Sequence, residues 1–205
     1  MEWVVLSVVI IGVVGLLFRI AIKGPVETDT AEQLAPEERS IHRRLSRRQR
    51  EVESAAATVS DGAFAPIAQQ ALTSSKEIVD TLTAALGQRQ SVRQALLNRS
   101  MFEREIQRLK SEIEAATTDE TRLALTAAIR AKSMELSHFE SLDVALKKID
   151  AILLEAEASL TEMRARLLSV RGQAGEGLDL DGLKSNLSQM EALRNSVDEV
   201  KVVLA

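Results

Sequence analysis

Apolar residues in this chain follow two regimes: one unbroken block at the start, then a long series of stripes recurring every three and four positions. The block runs from Trp3 to Phe18 without a charge, and Ile20 to Ile22 extend it past Arg19. Twenty residues of helix rise about 30 Å, the thickness of the hydrocarbon layer of a bilayer. Residues 1–23 are therefore expected to form a transmembrane anchor, without the basic leader and small-residue exit of a cleaved signal. Trp3 suits one interface and Arg19 and Lys23 the other. The positive charges lie on the C-terminal side, which predicts a single-pass protein of the cell (inner) membrane with its C-terminal part cytoplasmic.

Beyond the block, residues 24–36 (GPVETDTAEQLAP) lack an apolar period and read as an acidic tether. Residues 37–60 carry a narrow stripe, Ile41, Leu45, Val52 and Ala56, with arginine on the other faces, and read as a juxtamembrane helix. Ser60-Asp61-Gly62 breaks it, and Pro66 suits the first turn of the next helix. Helical spacing then runs through Ile78, Leu82, Ala85, Val92, Leu96, Phe102, Ile106, Leu109, Ile113 and Ala116, with Gly87 the weak interior point. TTDE at 117–120 is a helix-start signal, with Thr117 placed to cap and Glu120 to reach back. The most regular stretch follows: Leu142, Leu146, Ile149, Leu153, Ala156, Leu160, Met163, Leu167 and Val170 alternate spacings of four and three, the mark of a coiled-coil seam. Residues 172–182 (GQAGEGLDLDG) read as a hinge. The last helix, 183–205, places Leu183, Leu187, Met190, Leu193, Val197 and Val200 on one face, with Asp181 in position to cap; a lone amphipathic helix needs a surface on which to bury that face. The expected fold class is all-α: a transmembrane helix, a long antiparallel hairpin over 67–171 and a C-terminal amphipathic helix. An unbroken rod of roughly 150 Å, seeking its seam in another chain, is the alternative to the hairpin.

Composition narrows the chemistry. Aromatics are 2% of the 205 residues and cysteine is absent, which excludes disulfides, thiol nucleophiles and Cys-ligated zinc and favours thin helix–helix seams. The net charge of −4 hides a segregation: five acids and no base over 24–38, then six arginines and no acid over 39–50. Arg39, Arg43, Arg44, Arg47, Arg48 and Arg50 are candidates for contact with anionic headgroups or an acidic partner; a solvated face is the plain alternative. No recognition fold accompanies them, so nucleic acid is not an expected ligand. Glu135 and His138 make one Glu-x-x-His step, where a di-iron bundle site needs two such steps plus two further glutamates, and His42 has Arg39 where the second acid would stand. The glycines of 172–182 lack the Lys-Ser/Thr of a phosphate loop, and Asp179 and Asp181 lack the other ligands of a calcium loop. No cofactor, metal, small-molecule substrate or catalytic set is expected.

In outline, and most nearly over HFESLDVALKKIDAILLEAEASL at 138–160, the chain resembles the bacterial membrane-associated coiled-coil scaffolds of the phage-shock protein A and ESCRT-type group. Those proteins meet the membrane through an amphipathic N-terminal helix, whereas this sequence opens with an apolar block. The expected function is a membrane-tethered coiled-coil scaffold or adaptor, a homo-oligomer or the holder of a coiled-coil protein partner. What the resemblance implies instead is a polymer acting on anionic lipid; a metal-dependent helical-bundle enzyme is the remote third reading.

Overall fold

The structure, a computed structural model, describes residues 33–59, 64–172 and 180–204. Among these residues the chain is all-helical: α1 (Pro36–Ala57), α2 (Ala65–Leu96), α3 (Arg99–Ala115), α4 (Asp119–Gly172) and α5 (Leu180–Leu204). Alanine, leucine, glutamate and arginine dominate these segments, and no proline falls inside a helix beyond its first turn, where Pro36 and Pro66 stand.

Four of the helices close on one core. Ile41, Leu45 and Val52 of α1, Ile78, Leu82 and Leu86 of α2, Leu153, Leu160 and Met163 of α4, and Leu183, Met190 and Leu193 of α5 are all buried in it. In the ring, α1 lies against α2 and α4, α5 lies against α2 and α4, and α2 meets α4 across the diagonal. Cross-helix pairs fix the directions. Arg89 to Asp150 and Glu105 to Lys132 make α2–α3 antiparallel to α4. Arg44 to Glu157 and Glu51 to Arg164 make α1 parallel to α4, and Lys148 to Glu199 with Gln189 to Glu155 makes α5 antiparallel to it. The result is an up-down-up-down bundle.

Past the bundle, α3 and the first half of α4 continue as a two-helix arm of about 35 Å. Its seam is thin: Ile106, Leu109 and Phe139 are buried, and Phe102 meets Phe139 with ring centroids 5.2 Å apart. Lys132 caps that pair, its Nζ 4.8 Å from the Phe102 ring and 2.9 Å from Glu105.

Several expectations are corrected. No helix among the described residues is long and apolar enough to cross a membrane, because each interleaves its apolar stripe with charges. The block at 1–23 on which the single-pass, inner-membrane assignment rested lies outside the described residues, so the fold gives that assignment no support. Residues 24–32 of the expected tether, the break at Ser60-Asp61-Gly62 and residues 173–179 of the expected hinge also lie outside them. The tether's end is not free of the fold, since Leu34 is buried in the core. The chain doubles back at Ala116–Thr118 and is not a rod. Thr118 rather than Thr117 caps α4, its Oγ1 accepting the Thr121 N–H at 3.3 Å. The interior break falls at Leu97-Asn98 rather than Gly87. There the Asn98 N–H turns back to the Ala95 carbonyl at 3.0 Å, a tightened turn where the helix leaves the bundle and loses the core that held it straight. Asp181 lies inside the first turn of α5, not at its cap.

Candidate interaction surface

The predicted residues fall into three groups in space. Along α4, Ile149, Leu153, Leu160, Met163 and Leu167 are buried in the bundle, while Leu142 and Leu146 are half-buried where the arm begins. On α5, Leu183, Leu187, Met190, Leu193, Val197 and Val200 are buried in the same core, so this face is occupied within the chain itself. The two stripes meet across a polar layer, where the Asn186 side-chain amide donates to the Ser159 carbonyl at 3.3 Å. A buried polar pair of this kind fixes the register of two apolar helices.

The six arginines of α1 are dispersed. Arg39 donates to the Leu34 carbonyl at 2.9 Å, Arg44 to Glu157 at 3.0 Å, and Arg47 and Arg48 reach Glu51 at 3.1 and 3.0 Å. Arg48 holds the Glu51 carboxyl below its usual pKa, mainly by that hydrogen bond. Arg43 and Arg50 face solvent. Four of the six thus hold acceptors inside the chain, and what the helix presents outward is a sparser set of cations than the sequence suggests. Glu135 lies beside Lys132, and His138 is exposed; among the described residues no cluster of three metal-ligating side chains forms.

Sequence spacing did not disclose the polar cluster at the base of the arm. Arg89 of α2 is buried and donates to Glu37 at 2.8 Å, to Asp150 at 2.6 Å and to Glu38, which is only 1% exposed. Arg93 adds bonds to Glu37 and, at 3.3 Å, to Glu38. Gln90 accepts the Ala35 N–H at 2.8 Å, so the first turn of α1 is fastened to α2 and α4 by side chains. Burial opposes the charge on Arg89, but its hydrogen bonds to Asp150 and Glu37 outweigh that and hold its proton more firmly than in free arginine. Bonds from Arg93 and then Arg89 pull the Glu37 carboxyl below its usual pKa. Glu37 and Glu38 also sit at the positive end of the α1 dipole. The cluster joins bundle to arm; its partners lie more than fifty residues apart, beyond the reach of any local motif.

A second unread feature is the outward face of α4. Large apolar side chains stand in water along its length: Leu123 is 73% exposed, Val144 66% and Leu154 69%, with Met134 and Leu168 also exposed. On the bundle part, Ala151, Leu154, Ala158, Thr161, Ala165 and Leu168 are all exposed and alternate spacings of three and four. The six positions form a second heptad stripe on the side of α4 away from the core, carrying no charge of its own. Glu157 and Arg164 flank it on the α1 side, Glu155 and Glu162 on the α5 side. The signal was present in the sequence, offset by two residues from the inner seam, but the stronger leucine pattern masked it.

Comparison with known protein families, with curated proteins and with solved structures returns no match. The likeness of residues 138–160 to the phage-shock protein A and ESCRT-type group therefore rests on the sequence alone.

Proposed function

We propose that this chain is a helical scaffold or adaptor that works by contact and not by catalysis, associating with itself or holding a partner helix. The observation supporting this is the two-sided character of α4: one face fills the core, and the opposite face carries leucine, methionine and valine into water over a helix of 54 residues. A solvent-exposed apolar stripe at heptad spacing is energetically poor in isolation and matches the requirement for one more helix. The projecting arm lengthens the surface on which such a helix can lie.

The test compares the full chain with a variant whose outward face is made polar, Leu123→Glu, Met134→Glu, Leu154→Glu and Leu168→Glu together. All four positions are exposed, so helicity by circular dichroism should be unchanged. Quantitative pull-downs from a cell extract and sedimentation velocity are run on both. Loss of bound protein or of self-association in the variant supports the reading. Identical recoveries together with identical sedimentation would sink it.

A further inference from the structure

The outward stripe of α4 has a pattern that selects its occupant, and we infer that it is the same stripe of a second copy, packed antiparallel about a twofold axis between Ala158 and Thr161. The inference rests on the scaffold reading and names the partner. Its basis is self-complementarity. Read forwards, the six positions are Ala, Leu, Ala, Thr, Ala, Leu from 151 to 168; read backwards they place each leucine opposite an alanine. Leu168 meets Ala151 of the second copy, Leu154 meets its Ala165, and Thr161 meets its Ala158. An isologous contact requires this reciprocity, with residue i on j and j on i. One alanine in every layer lets the two axes approach to about 8 Å, the close end of helix packing.

Charge decides between the two directions. In the antiparallel pair, Glu157 of each copy lies beside Arg164 of the other, giving two attractive pairs. Both side chains have capacity left: Glu157 uses one carboxylate oxygen for Arg44, and Arg164 stands 3.7 Å from Glu51, beyond hydrogen-bond length. Glu155 meets Glu162 of the second copy, a like-charge contact that the Arg166 bond to Glu162 at 2.5 Å softens but does not cancel. A parallel pair would instead set Asp150 against Glu155 and Glu157 against Glu162; Asp150 and Glu162 are softened by Arg89 and Arg166, but no attractive pair is gained. It would also stack leucine on leucine and leave voids between alanines.

The absence of native cysteine makes the test clean. Ala151→Cys and Leu168→Cys are introduced together in the full chain and oxidised mildly. Within one helix these positions are about 25 Å apart, so a 151–168 disulfide forms only between copies. A covalent dimer whose peptide map links 151 to 168 is the expected result. Links of 151 to 151 and 168 to 168, or no covalent dimer, would overturn the antiparallel assignment. Sedimentation equilibrium supplies the independent arm: the native chain should dimerise reversibly, Leu154→Glu should be monomeric at the same concentrations, and Glu155→Lys should tighten association about five-fold by facing Glu162. A Leu154→Glu chain that dimerises like the native one removes this interface. A native chain that is monomeric yet loses a bound partner in the outward-face variant removes it too, and leaves the scaffold reading intact.

Discussion

Arg89 concentrates more of the fold's electrostatics than any other described residue, because its buried guanidinium satisfies carboxylates from two different helices. A buried ion pair adds little over a well-packed apolar one, but breaking it by removing one partner strands a charge. Arg89→Ala leaves the buried Glu38 carboxylate, among the described residues, with the longer Arg93 bond of 3.3 Å, and should cost about 3–5 kcal/mol in urea unfolding. The double change Arg89→Met with Glu38→Leu removes both charges and should recover most of that loss; if it does not, the cluster contributes more than mutual compensation. Acid probes the same site through Glu37. Its carboxyl titrates below the ordinary value of 4.5 in the folded chain, so its contribution is fully present above that pH and is lost as pH falls through the depressed value. Unfolding midpoints measured across this range should fall on acidification, and less steeply in Glu37→Gln, which has no carboxylate to protonate. None of this was legible in the sequence, since helical spacing reports only neighbours three or four residues apart. The local pairs were legible on that basis: Lys147 reaches Asp143 at 2.7 Å and Arg166 reaches Glu162 at 3.0 Å.

At the level of the elements, periodicity exposed which faces are apolar but not which surface each one covers. The stripe on α5 reads equally well as a docking face for another protein, and in the fold it closes the bundle of its own chain. The stripe on α1 is so outnumbered by arginine that the helix reads as a surface element, yet Leu45 and Val52 are fully enclosed. Burial, unlike periodicity, depends on what packs opposite, and that is set by pairings remote in sequence. The distinction makes a direct prediction on α4, where Leu154 and Leu160 are chemically alike and one helix face apart. Leu160→Ala should destabilise the chain by about 2–5 kcal/mol through lost burial and the cavity left behind, whereas Leu154→Ala in dilute monomer should stay within about 0.5 kcal/mol. Equal losses from the two would mean that the inner and outer faces of α4 are wrongly assigned.

The whole molecule divides by how much apolar surface each part encloses. The bundle buries leucine, isoleucine, methionine and valine from four helices in one contiguous core, and the arm buries Ile106, Leu109 and Phe139 along a single seam. Two helices without a third are marginal in water, and local opening costs least where burial is thinnest. The Arg89 cluster stands at the boundary and ties α1, α2 and α4 together just where the core ends, so opening of the arm should stop there. Native-state hydrogen exchange resolves this. Amides of 103–113 and 122–136 should exchange through a low-energy opening nearly insensitive to urea, while those of 149–167 and 78–86 should exchange only through global unfolding. In Arg89→Ala the boundary should move into the bundle, and amides near the start of α1 should join the fast class. Under the proposed pairing, the arm should remain fast at associating concentrations and the bundle part of α4 should slow further, because a paired stripe would cover 151–168 and leave the arm's own seam as thin as before. Uniform protection along all of α4 in the monomer would mean that arm and bundle unfold as one unit, and the boundary drawn at Arg89 would have no energetic content.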